Sequence, residues 1–180
     1  RVWRTPGFLE KTRDGRAYGS AMQRAMQYLH FEACGDKKSV RQEIDRLVAE
    51  EFLTEEEGKL VNCTQIARFF ESDIGWKLLG GQLLREFKFS ILDDGSHYGA
   101  GLEGEQVLLQ GVVDCAIVEE DGITVLDFKT DRVTPDTLPQ AVDRYRTQVQ
   151  TYKEALERIY EKKVKKALLY FFHLDQFVEL

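Results

Sequence analysis

Two apolar runs, Val112–Val118 and Ile123–Phe128, flank the turn-forming residues Glu119–Gly122. That pattern reads as a β-hairpin. Asp114 sits in the first arm, and Asp127 and Lys129 sit in the second. Ionised groups among Val, Ile, Leu and Phe need a reason, because burying a charge without a partner is costly. A turn centred between Glu120 and Asp121 sets Asp114 opposite Asp127. A turn centred one residue later sets Asp114 opposite Lys129. Side chains alternate along a strand, so in either register all three project from one face. Directly opposed Cβ atoms stand roughly 4.5–5.5 Å apart, and two carboxylates at that distance repel unless a cation intervenes or one is protonated. The alternative is an edge-strand aspartate beside a solvated Asp127–Lys129 pair.

The rest of the chain decides what converges on this face. At 180 residues it is long enough to bury a core without staples. One domain is expected, with residues 1–82 mainly helical and residues 83–180 forming a sheet core. The chain starts at Arg1, not Met, which suggests a C-terminal piece of a longer polypeptide. No apolar run approaches membrane-spanning length, and no secretory signal pattern is present. Cys34, Cys63 and Cys115 are dispersed without CxxC spacing, which argues for reduced, cytoplasmic thiols and against a zinc or iron–sulfur site. The net charge of −6 has the wrong sign for simple nucleic-acid binding. Were the substrate DNA, its affinity would have to come from local basic patches, bound metal or neighbouring domains.

In chain order, residues 1–12 read as an entry loop and residues 18–31 as a helix capped by Ser20. Met22, Met26 and Leu29 lie on its apolar stripe and Gln23 at the border. His30 reads as a surface or capping histidine. Residues 40–50 form a second amphipathic helix. Thr54 to Glu57 resembles a capping box whose helix continues through Leu60, Ile66 and Phe69–Phe70, and residues 72–79 are a short helix. From Leu84 the period changes to two, with Leu84, Glu86 and Lys88 on one face and Arg85, Phe87 and Phe89 on the other. Glu86 by itself reads as a solvent-facing strand residue. A glycine-rich connection over residues 93–101 leads to the strand at Val107–Val118. After the hairpin, a long helix over residues 138–162 places Tyr145, Gln148, Val149, Tyr152, Leu156 and Ile159 on one stripe. The basic residues 162–166 suit a helix C-terminus or a phosphate, and residues 167–174 are a buried strand. Helices, a β-meander, a helix and a strand make an α/β sandwich with a mixed sheet.

Glu86, Asp114, Asp127 and Lys129 thus fall on adjacent strands. Carboxylates are hard ligands suited to Mg²⁺ or Mn²⁺, and such an ion can lower the pKa of bound water and stabilise charge on a phosphodiester. A lysine beside it can orient the attacking water. The sequence has no GxxxxGK[ST], GxGxxG or GxSxG to support an NTPase, dinucleotide or serine-hydrolase reading. A glycosidase reading leaves Lys129 unexplained.

The ordered set GSAMQ, FF-S-IG-KLL, REFKF, GVVD, LDFKTDRV and Q-VQ-TY spans nearly the whole chain. It resembles the RecB-like branch of the PD-(D/E)xK nucleases, and within it the C-terminal nuclease domain of AddA-type subunits of AddAB helicase–nucleases. The resemblance implies a restriction-endonuclease-like core of mixed sheet and flanking helices. By it, Asp114, Asp127 and the Phe128 carbonyl would hold the metal, Lys129 would be the catalytic lysine, and Glu86 would support the site. Gln148 and Tyr152 match the family's Q-x-x-x-Y motif, associated with placing DNA and the lysine, and Thr130 and Arg132 would also face DNA. The family's first motif carries a metal-ligating histidine where this chain has Gln23, which offers only a neutral carbonyl oxygen. The implied activity is Mg²⁺- or Mn²⁺-dependent exonuclease cutting of the 3′-ended single strand as it leaves a helicase in double-strand-break repair. The implied partners are DNA, the chain's own N-terminal helicase domains and a partner of AddB type. No membrane association and no iron–sulfur cluster are expected. The second reading is a nuclease fold kept as a module that guides DNA or docks the partner.

Overall fold

The computed structural model describes the backbone of residues 7–180 and the side chains of residues 15–180. Among the described residues, six α-helices precede or interrupt five strands. They are α1 (Gly7–Tyr28), α2 (Lys37–Ala49), α3 (Glu55–Leu60), α4 (Cys63–Glu71), α5 (Asp73–Lys77) and α6 (Leu138–Tyr160). The strands β1 (Gln82–Asp94), β2 (Gln106–Glu119), β3 (Gly122–Lys129), β4 (Val164–Phe171) and β5 (Gln176–Glu179) form one sheet in chain order. Antiparallel pairing joins β1 to β2 and β2 to β3. Backbone bonds from Ile123 N to Lys163 O (2.9 Å) and from Phe172 N to Lys129 O (3.1 Å) advance in the same sense along both segments. β4 is therefore parallel to β3, as the α6 crossover between them allows. The expected α/β class with a mixed sheet and a largely helical N-terminal half is what the chain adopts.

Contacts divide the chain into two compact units. The first holds residues up to 80 together with residues 128–134 and 171–176. Its helices are set by side-chain caps: Asp36 accepts from Ser39 N, Thr54 and Glu57 form a reciprocal capping box, Asn62 accepts from Gln65 N, and Ser72 from Gly75 N. The cap at Asn62 splits what the apolar period suggests is one helix from Thr54 to Phe70, because an Asn side chain offers the backbone a competing bond. α1 begins at Gly7, so the expected loop over residues 1–12 is helical from there on; residues 1–6 lie outside the described part. Ser20 is accordingly an exposed mid-helix residue and not a cap. The core gathers Met22, Leu29, Ile44, Leu47, Ile66 and Phe69, all fully buried. Phe69 meets Phe128 edge-on at 5.1 Å, and Phe128 stacks on Phe172 at 5.6 Å.

The second unit holds residues 81–127, 135–170 and 177–180. α6 buries Val149, Tyr152, Ala155 and Leu156. Tyr152 meets Phe89 of β1 at 5.9 Å and Tyr160 meets Phe87 at 5.9 Å. Gly111, opposite Phe89 in the ladder, keeps this layer tight: a Cβ there would lie 2.7 Å from Phe89 Cζ and 3.2 Å from Tyr152 Cε1. The stripe on α6 is narrower than expected. Gln148 and Ile159 are exposed, because each lies a helical step away from the arc centred on Val149, Tyr152 and Leu156. Lys162 donates to Glu119 O (2.8 Å) and Lys165 to Asp121 (2.8 Å), so these lysines tie the β2–β3 turn to the start of β4. β5 was not expected; it follows the four-residue connection 172–175, and Leu180 N bonds Ala167 O at 2.9 Å.

Candidate active site

The hairpin adopts the first of the two registers. Rungs run from Glu119↔Gly122 to Cys115↔Leu126, and the next level in that register sets Asp114 against Asp127. On the other side, Arg85↔Cys115 and Phe87↔Val113 bracket Glu86, which puts it level with Asp114. Three carboxylates thus stand at one level across β1, β2 and β3. Glu86 drops out of the ladder there because its backbone is left-handed, φ 49°. A non-glycine residue held in this region costs of order 1–3 kcal/mol and persists only where its surroundings enforce it. The expected regular, solvent-facing strand residue is therefore a half-buried, strained one.

Electrostatics mark the same place. Burial pushes the Glu86 carboxyl up; Arg85 opposes the shift and the Asp127 charge adds to it. The Tyr152 hydroxyl is also pushed up, first by burial and then by Asp127 and Asp114, while a hydrogen bond with Gln148 works against the shift. Gln148 therefore reaches Tyr152 one turn along α6 although it is itself exposed. Asp127 is only 3% exposed. Its Oδ2 accepts no hydrogen bond, although the residue takes part in other polar interactions. Burial, then Asp114, hold the neighbouring Cys115 thiol up, which keeps it a protonated core residue. Among the described residues, no three His, Cys, Asp or Glu side chains are gathered closely enough to hold an ion by themselves.

The end of β3 belongs to the first unit. Gln23, on α1, donates its Nε2 to the Phe128 carbonyl at 2.9 Å. Its amide nitrogen is thereby engaged, and only Oε1 remains to meet a cation. Lys129 follows, two residues after Asp127 and so on the same side of β3. Thr130 packs against α1 closely: a Cβ on Gly19 would lie 2.9 Å from Thr130 Oγ1. The glycine that opens GSAMQ is thus required by proximity. Tyr18, one residue earlier, donates to Gln65 Oε1, and burial holds its hydroxyl up against the lowering effect of Arg132. Tyr18 carried no signal in the sequence, because its partner lies on another helix. Arg132 is exposed.

Elsewhere in the second unit, Asp93 is a buried acid that the sequence places at the mouth of a loop. It accepts from Arg158 (2.7 Å) and Tyr98 (2.8 Å) and faces His97 at 3.3 Å. Arg158, followed by Tyr98, holds its carboxyl well below the usual range. No sequence spacing links Asp93 to Arg158. The pair fastens α6 to β1. In the first unit, His30 precedes a short 3-10 turn and faces Glu43 at 3.5 Å, as a surface histidine would.

A strand hairpin carrying D…DxK, a preceding strand glutamate and a following Q-x-x-x-Y helix define a class. The chain belongs to the PD-(D/E)XK nuclease superfamily, whose family model matches residues 4–179. It is 37% identical over 98% of its length to the A subunit of the ATP-dependent helicase/nuclease of Alkaliphilus metalliredigens. It is 34% identical over 98% of its length to the same protein of Clostridium perfringens, and 35% identical over 99% to that of a Thermoanaerobacter species. In each case the chain spans 15% of the relative's own length. No helix among the described residues is long and apolar enough to cross a membrane.

Proposed function

We propose that this chain is a Mg²⁺- or Mn²⁺-dependent deoxyribonuclease module that cuts single-stranded DNA, the 3′-ended strand of a break, within a helicase–nuclease of double-strand-break repair. The observation that carries the reading is the level row Glu86, Asp114 and Asp127, with Lys129 two residues further along β3. The donor chemistry fits a hard divalent cation: two aspartates and the Phe128 carbonyl supply oxygen only. When bound, such an ion supplies a water of lowered pKa and charge stabilisation for the phosphate. The protein's own groups do the rest. Lys129 orients the attacking water and balances charge developing on the phosphate oxygens. Glu86, half-buried and level with the two aspartates, supports the metal site from β1. Tyr152, braced by Gln148, stays protonated and can donate to a phosphate oxygen, while Thr130 and Arg132 position the strand. The relatives are named as one component of a helicase/nuclease, which supports a motor and a partner of AddB type acting with this module.

The test is cutting of an end-labelled single-stranded oligonucleotide by the chain with Mn²⁺ or Mg²⁺. The reading expects metal-dependent products from the parent and none from Asp127→Ala; equal cutting by the purified variant would sink it. Gln23 favours a second reading, in which the module guides DNA or docks a partner with little catalysis, because its nitrogen already occupies the Phe128 carbonyl. Calorimetry separates the two: Mn²⁺ uptake lost in Asp114→Asn supports the nuclease, and no uptake with DNA binding intact supports the guide.

A further inference from the structure

Beside Gln23, the described part of α1 and residues 130–132 enclose a groove of about 930 Å³. Arg16, Arg24 and Arg132 line it and are exposed, and Asp131 is the acid that accompanies them. On a chain of net charge −6 this is a local excess of positive charge. Arg24 meets Glu57 only loosely, at 3.7 Å with its side chain 53% exposed, and a surface pair of that kind exchanges readily for a phosphate. Arg16 and Arg24 are eight residues apart, or about 12 Å along the helix axis. That length spans several charges of a nucleic-acid strand, which follow one another every 3.4 Å or so along a stacked strand. Gly19 lies between them, and any side chain there would press on Thr130 and narrow the groove. Gln23, which donates to the Phe128 carbonyl, lines the same groove.

We infer that this groove is a subsite for the sugar–phosphate backbone of a single DNA strand, with Arg16, Arg24 and Arg132 each taking a phosphate. The inference rests on the nuclease reading for its choice of ligand. It assigns to α1 a strand-holding role that the motif residues alone do not contain. Guanidinium forks on phosphates carry no base readout, so the subsite is indifferent to sequence and delivers successive phosphates toward the Phe128–Lys129 end of β3.

The experiment measures binding of a fluorescein-labelled oligothymidylate to the 180-residue chain by anisotropy in EDTA, where no metal-dependent cutting occurs. Loss of the nuclease reading and loss of this one are then separate results. The variant Arg16→Gln/Arg24→Gln/Arg132→Gln is compared with Lys37→Gln/Lys38→Gln/Lys59→Gln, which removes three exposed lysines around a second groove of about 810 Å³ in the same unit. Circular dichroism checks that both remain folded. Each lost phosphate contact lowers the salt slope by about 0.7 and affinity at 0.1 M salt by about five-fold. The arginine variant is expected to bind about a hundred-fold more weakly, with a slope shallower by about 2. The lysine variant is expected to bind as the parent does. Unchanged binding by the arginine variant, or an equal loss in the lysine variant, overturns the assignment.

Discussion

Glu86 combines a left-handed backbone with a carboxyl that burial holds up, and each property can be read separately. A raised folded-state pKa favours folding below the ordinary value of 4.5 and loses that contribution as pH rises through the raised value. Thermal melts in EDTA should therefore show Glu86→Gln above the parent at pH 8, with the gap closing toward pH 4; a gap independent of pH would refute the assignment of burial as the cause. The backbone term predicts that Glu86→Gly is about 1 kcal/mol more stable than Glu86→Ala in urea unfolding, because only glycine escapes the left-handed penalty. Gln23 is the other informative residue. Its nitrogen holds the Phe128 carbonyl, so Gln23→His should change the metal more than the fold. Calorimetry of Gln23→His is expected to show Mn²⁺ bound more tightly than by the parent, since imidazole is a good ligand for transition metals; unchanged affinity would show that this position does not reach the ion. Both positions stand out in the sequence, Glu86 in REFKF and Gln23 in GSAMQ. The strain at Glu86 does not, since nothing in a regular alternation announces a positive φ.

At the level of elements, local rules carried far. The hairpin's apolar period and its turn brought the row of carboxylates within two registers, and the capping box at Thr54 marked the start of α3. Rules of this kind fail where a partner is remote. The break at Asn62 depends on a local bond that periodicity ignores, and the exposure of Gln148 on which arc of α6 meets β1. The Asp93–Arg158 pair joins elements that no spacing connects. Because the Asp93 carboxyl is held low by Arg158, its stabilising contribution is present above the ordinary 3.8 and is lost as pH falls. Melting temperatures of Asp93→Asn should fall below the parent's at pH 7 and approach them in acid. A constant difference would show that packing, not charge, is what Asp93 supplies. In the first unit, Phe69 holds Phe128 and Phe172 in one aromatic cluster. Phe69→Ala should cost about 3–5 kcal/mol in urea unfolding, and a loss below about 1 kcal/mol would place that cluster outside the cooperative core.

For the molecule as a whole, the family and the sheet's composition were legible because the motifs come in a fixed order over nearly the full chain. The net charge of −6 does not show how charge is distributed: Arg16, Arg24 and Arg132 line one groove, while acids dominate the total. The chain spans 15% of the relatives it matches, so cutting by this module is a property to establish on its own residues first. Crystals of the chain soaked with Mn²⁺ test that most directly, through the anomalous signal of the ion. The account predicts a single peak bonded to Asp114, Asp127 and the Phe128 carbonyl at roughly 2.0–2.3 Å, the range for hard divalent ions on oxygen. A peak elsewhere, or none at these oxygens when Mn²⁺ is bound in solution, would contradict it.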